Sequence, residues 1–190
     1  MVCLTNLDGE DHVAEVNLTQ TNLNSYIPSE WGQLQYLKIL DLSQNSLFGT
    51  IPSELLLLPS LQEIDFSHNQ FHGPVPVFSR ADGMNRLLLK ENDFQGTIPP
   101  DFFVGKRAMI EFSVMGNQLT GTISEAIGHM SLLEILELSS NGFSGMQRNF
   151  ILEVAHLPLL NTVALLVFDL RYHSDFSGCH EKLEVFVSGF

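Results

Sequence analysis

Carboxylates and cations recur along this chain at intervals that could gather them on one surface. Asp41 and Asp65 stand 24 residues apart, and Glu15, Glu63, Glu111 and Glu137 are separated by intervals close to multiples of the same number. Arg86 and Lys90 interrupt the acidic series. Collected on one face, these eight residues would form a binding surface for a basic or hydroxyl-rich partner. Dispersed, they would be solvated charges that favour solubility. His68 and His72 have the i, i+4 spacing that binds metal when a helix carries it. Asn17-Leu18-Thr19 is an acceptor sequence for N-glycosylation in a secreted protein.

Catalytic signatures are absent from the sequence. It contains no G-x-S-x-G or H-E-x-x-H motif. It also lacks the G-x-x-x-x-G-K-[ST] phosphate loop. No catalytic residue, cofactor or metal site is therefore expected. The 22 acidic and 9 basic residues give a net charge of −13, which disfavours nucleic acid and anionic membrane as partners. With 44% apolar and 16% charged residues, the 190-residue chain has enough apolar content for an ordered domain. The apolar stretch 157–170 is broken by Pro158, Asn161 and Asp169, and it is too short to span a bilayer. Residues 1–10 lack a signal-peptide pattern.

What could gather the charges is an internal repeat. The pattern L-x-x-L-x-L-x-x-N-x-L-x-G-x-I-P runs through Leu37, Leu40, Leu42, Asn45, Leu47, Gly49, Ile51 and Pro52. It recurs in four later units whose Asn positions are Asn69, Asn92, Asn117 and Asn141. An earlier unit has Thr21 in place of Asn and Ser25 in place of Gly. From Thr21 to Asn141 the intervals are 24, 24, 23, 25 and 24 residues. Each L-x-L is expected to be a short strand with alternate residues turned inward. Residues 16–18, 40–42, 64–66, 87–89, 112–114 and 136–138 should then pair as one parallel sheet.

The remaining columns have physical roles of their own. The Asn column, Asn45, Asn69, Asn92, Asn117 and Asn141, lies where the chain turns out of the strand. Each amide can satisfy backbone groups left open by that turn. Replacing Asn69 or Asn92 by Ala should cost about 1–3 kcal/mol. The Gly column suits a backbone hostile to a Cβ, or a close approach between coils. Pro fixes φ on the return limb. His68 and His72 flank Asn69 at the strand exit rather than sharing a helix. The eight charged residues above all fall on outward strand positions.

The N-x-L-x-G-x-I-P motif resembles the plant extracellular leucine-rich repeat, found in receptor-like kinase and receptor-like protein ectodomains and in polygalacturonase-inhibiting proteins. The resemblance implies an α/β repeat solenoid. This is a right-handed leucine-rich-repeat superhelix with one parallel β-sheet on the concave face and irregular or 3-10 turns on the convex face. It also implies a protein-, peptide- or oligosaccharide-binding module, and an extracellular or cell-surface place within a longer chain. A cytoplasmic scaffold carrying the same repeat is the alternative. Residues 1–12 read as the remnant of an N-terminal cap, 13–145 as six regular repeats, and 146–190 as degenerate terminal repeats. That last segment is either truncated inside an eighth strand or a terminal cap.

The family's opening cap would supply a partner for Cys3 from beyond this N-terminus. Cys3 and Cys179 are the chain's two cysteines. Seven stacked strands would hold them roughly 29 Å apart. That is beyond the about 7 Å a disulfide allows between Cα atoms.

Overall fold

The computed structural model describes residues 2–5, 11–144, 157–160, 162–164 and 184–185, with side chains over 12–144 and 157–160. Nine strands form the first sheet. They are β1 (Val2–Thr5), β2 (Asp11–Asn17), β3 (Ile39–Asp41), β5 (Glu63–Asp65), β7 (Arg86–Leu88), β9 (Glu111–Ser113), β11 (Ile135–Glu137), β13 (Thr162–Ala164) and β14 (Glu184–Val185). From β2 onward every pairing in this sheet is parallel. The register places Val16, Leu40, Ile64, Leu87, Phe112, Leu136 and Val163 in one column.

All six expected strands therefore lie in one sheet, each assigned a residue or more earlier than the L-x-L reading gives. The ladder continues beyond those boundaries. Leu42, Phe66, Leu89 and Val114 still donate their N–H groups to the next coil at 2.8–2.9 Å. β13 and β14 extend the same ladder where a seventh and an eighth unit are read from the sequence. Cys179 and the rest of the degenerate segment 146–190, apart from residues 157–160, 162–164 and 184–185, lie outside the described residues.

At the other end, β1 lies antiparallel against β2, with Cys3 opposite Val13. The repeat pattern gave no sign of this strand. It gives the N-terminal edge of β2 a backbone partner, where an open edge would invite association with other chains.

The second departure is larger. Beyond the single concave sheet expected from the sequence, five short strands after the Asn column pair as a separate parallel sheet. They are β4 (Phe48–Gly49), β6 (Gln70–Gly73), β8 (Asp93–Thr97), β10 (Gln118–Gly121) and β12 (Gly142–Phe143). Phe71, Phe94 and Leu119 point inward from this sheet and are fully buried. Three 3-10 helices, Ser29–Gln33, Leu55–Leu57 and Glu125–His129, lie on the return limbs. No α-helix occurs among the described residues.

The core is a stack of apolar columns that no single coil could bury alone. Leu40, Ile64, Leu87, Phe112 and Leu136 are at most 1% exposed. The return limbs contribute Leu55, Leu58, Phe78, Phe103, Ile127 and Met130. They share the period, with Leu55, Phe78, Phe103 and Ile127 at intervals of 23, 25 and 24 residues, but fall outside the motif as read from the sequence.

Glycine is required at the second sheet for two reasons. Gly49, Gly73, Gly96 and Gly121 have φ of +81 to +91°. L-residues rarely adopt that conformation. At Gly121 an added Cβ would also lie 2.8 Å from Thr97 Cγ2. Gly121→Ala is expected to lose about 2 kcal/mol of stability, from left-handed strain plus that contact. Urea melts check this, and a loss under about 0.5 kcal/mol would mean the backbone relaxes there.

A buried lysine ties two return limbs together. Lys106 is 7% exposed, and its Nζ donates to the Phe78 carbonyl at 2.7 Å. Burial lowers its pKa below the usual 10.5, against a smaller raising effect of Asp82. With the folded pKa below the unfolded one, the unfolded chain binds more protons just below pH 10.5. Stability contributed at this site should therefore rise as pH climbs through that window. Lys106→Met should flatten the rise, measured as the difference in unfolding free energy between pH 8 and pH 10. An equal slope in both proteins would show that Lys106 is solvated.

Candidate binding surface

Two parallel columns of side chains face outward from the first sheet. The first contains Glu15, Ile39, Glu63, Arg86, Glu111 and Ile135 in direct register. The second contains Asn17, Asp41, Asp65, Leu88, Ser113 and Glu137. Lys90 follows β7 two residues after Leu88. All eight charged residues singled out in the sequence thus lie on this sheet face or at its exit. Six carboxylates stand against two cations.

The carboxylates are not equivalent. Arg86 sits between Glu63 and Glu111. Its guanidinium lies 3.6 Å from Glu63, and it binds Glu111 through Nη2 at 2.8 Å and Nε at 2.9 Å. Burial works to lower the Arg86 pKa. The hydrogen bond to Glu111 and the charges of Glu111, Glu63 and Asp65 together outweigh that and raise it. Glu137 accepts a 2.7 Å bond from the Ser113 hydroxyl.

Asp41 and Asp65 have a structural duty that sequence reasoning missed. Each turns Oδ1 back onto its own strand exit. Asp41 accepts from the Ser43 N–H at 3.0 Å and its hydroxyl at 2.7 Å, and Asp65 accepts from the Ser67 N–H at 2.9 Å. Asn17, one coil earlier, makes the same bond to the Thr19 N–H at 3.1 Å. Such local bonds from Asx side chains to the backbone two residues on stabilise turns. The D-x-S and N-x-T spacing is the signal that could have revealed them. Between Asp41, Glu63, Asp65 and Arg86 lies a small depression of about 80 Å³, with Ile39 and Leu88 contributing apolar surface.

Beside this face stands the Asn column. Asn92 shows its geometry. Oδ1 accepts from the Phe71 N–H at 3.0 Å, and Nδ2 donates to the carbonyls of Phe66, Leu89 and Lys90 at 2.9–3.2 Å. Asn45, Asn69, Asn117 and Asn141 repeat the pattern, each bonding both its own coil and the one before. The residue before each column position has positive φ. Gln20, Gln44, His68, Glu91 and Ser140 have φ of 55–56°, and Gly116 has 66°. Only Gly116 marks this left-handed turn by its residue type. His68 is one of these turn residues and His72 lies on β6, so no helix brings them together. Among the described residues no cluster of three or more His, Cys, Asp or Glu could hold a metal.

A family model for the leucine-rich repeat matches residues 36–58 and 60–80. Solved plant receptor ectodomains share both sequence and shape with the chain. The ectodomain of the receptor kinase SOBIR1 from Arabidopsis thaliana is 28% identical, with a TM-score of 0.69, over 76% of this chain and 81% of that one.

The chain carries leucine-rich repeats and resembles the plant extracellular type.

Longer relatives extend this leucine-rich-repeat comparison. The Arabidopsis thaliana GASSHO1/SCHENGEN3 ectodomain, solved with CASPARIAN STRIP INTEGRITY FACTOR 2, is 32% identical, with a TM-score of 0.61, over 64% of this chain and 15% of that one. The Arabidopsis HAESA ectodomain, solved with an IDA peptide hormone, is 27% identical, with a TM-score of 0.66, over 70% and 22% respectively. This leucine-rich-repeat chain thus spans less than a quarter of either long ectodomain. No curated protein sequence matches it. No described helix is long and apolar enough to cross a membrane.

Proposed function

We propose that this chain is a receptor-like recognition module that binds a basic protein or peptide segment on the outward face of its first sheet. It acts by binding and performs no chemistry of its own. One observation carries the choice of partner. Six carboxylates and two cations share the face, and one of those cations, Arg86, is already clamped by Glu63 and Glu111. The face therefore presents net negative charge to an incoming ligand. Complementary charge would speed encounter and fix register. The relatives solved with a peptide hormone support a peptide as the occupant.

Their extracellular setting supports an extracellular place for this chain, as part of a longer protein. In such a setting Asn17, which is exposed, would carry a glycan at the edge of the binding face. Residues 1–12 would then be a cap remnant, 13–145 the regular array and 146–190 its degenerate end.

Asp41→Asn with Asp65→Asn is the informative variant. Asn17 already makes the same turn bond as an amide, so the substitutions remove charge and keep the fold. A random-sequence peptide library selected on the whole chain should enrich Lys- and Arg-rich peptides. Their affinity should fall about tenfold in the double variant and fall with added salt. Enrichment of acidic or uncharged peptides, or an unchanged Kd in the variant, would defeat the proposal.

A further inference from the structure

The second sheet has a chemistry opposite to that of the first. Its outward positions carry mostly amides and hydroxyls, with His72 and Asp93 among them. Gln70, Gln95 and Gln118 are exposed, as are Thr50, Thr97 and Thr120. Across the five strands the only Asp, Glu, Lys or Arg is Asp93, and it accepts a 2.9 Å bond from the Gln118 amide. In a chain of net charge −13 this surface is low in charge. At one end stand two exposed aromatic rings, Tyr26 at 65% and Phe48 at 43%. They belong to adjacent coils, for the Phe48 N–H donates to the carbonyl of Ser25 at 3.0 Å.

We propose that this face, with the Tyr26–Phe48 pair beside an uncharged amide and hydroxyl ladder, binds a linear neutral oligosaccharide lying across the coils. Side-chain amides and hydroxyls both donate and accept, which suits the paired hydroxyls of a sugar ring. An aromatic ring offers a flat apolar surface to the C–H face of a pyranose. Protein interfaces need a dehydrated apolar centre with anchoring residues. Here the large apolar groups stand at one end, and the remainder is hydrated polar side chains. The charge balance selects among glycans. A polyanionic chain finds no Lys or Arg on the strands of this face and is repelled by the net charge of the molecule.

The geometry matches as well. Adjacent strands lie about 4.8 Å apart. A β-1,4-linked pyranose chain advances by a comparable step, so each coil can address about one ring. The five strands thus set the length of glycan that the sheet can engage.

The test is calorimetric titration of the whole chain with cello-oligosaccharides from dimer to hexamer, alongside mannohexaose and an oligogalacturonate of equal length. Affinity for a neutral series should rise with length and level off at about five rings, with the oligogalacturonate at least about tenfold weaker. Tyr26→Ser with Phe48→Ser should weaken the neutral hexamer about tenfold with little change in melting temperature, because neither side chain belongs to the buried core. Asp41→Asn with Asp65→Asn should leave glycan binding unchanged, which keeps this surface distinct from the first. Failure of both neutral hexamers to bind, a flat length series, or full affinity in the Tyr26/Phe48 variant would overturn the proposal. So would preference for the charged glycan.

Discussion

Asn92→Ala should destabilise the protein by about 3 kcal/mol, at the upper end of what a lost buried amide costs. The side chain is 8% exposed and joins two coils through four hydrogen bonds. Truncation removes the acceptor of the Phe71 N–H and the donor to the Phe66 and Leu89 carbonyls. Water would have to enter a dry part of the solenoid to replace them. Asn92→Asp tests the same point differently. It keeps the acceptor for Phe71 but puts an acidic oxygen against carbonyls that need a donor, so it should not rescue. Asn69→Ala should cost less, because Asn69 is only partly buried. Urea melts of the three variants would decide. Losses below about 0.5 kcal/mol at Asn92 would mean the ladder is solvated.

The largest single loss is expected at Phe112→Ala, about 4 kcal/mol. Phe112 is fully buried on β9. Its ring centroid lies 5.2 Å from that of Phe102 and 5.7 Å from that of Phe103, and those two rings are 5.0 Å apart. Alanine would open a cavity walled by rigid rings that cannot collapse into it, so the cavity term adds to the lost transfer energy. In a solenoid each coil contacts only its neighbours. The damage should therefore concentrate in β7, β9 and β11, where amide exchange should accelerate before it does in β3. Thermal melts and exchange measured together would check both parts. A uniform rise in exchange across all coils would show the array unfolding as a single unit instead.

What was legible in the sequence is what recurs at a fixed offset. The inward residues of each L-x-L, the Asn ladder and the glycines of the second sheet all mark positions where one coil touches the next. They are repeated because the contact is repeated. The second sheet was missed because its strands are two to five residues long and contain the glycines that read as turns. The alternation is nonetheless present, with buried Phe71 between exposed Gln70 and His72. The left-handed residue before each Asn was hidden because Gln44, His68, Glu91 and Ser140 share no side-chain chemistry. Their φ is imposed by the turn, not by residue type. Phe103 and Lys106 keep the period, Phe103 with Leu55, Phe78 and Ile127 and Lys106 with Leu58, Ala81 and Met130, but they lie outside the motif as it was read. At the proposed binding face, position was readable and duty was not. Asp41 and Asp65 lie on the outward column the period gives them, yet each also closes its own strand exit.

The claim that the first sheet is the binding face is most directly tested by amide hydrogen exchange of the whole chain, with and without a saturating basic peptide taken from the library selection. Protection should appear in Ile39–Asp41, Glu63–Asp65, Arg86–Leu88 and Glu111–Ser113, and in the exits that follow them. The second sheet and the 3-10 helices should be unchanged. Protection confined to the second sheet or the return limbs, with the first sheet unaltered, would contradict the account.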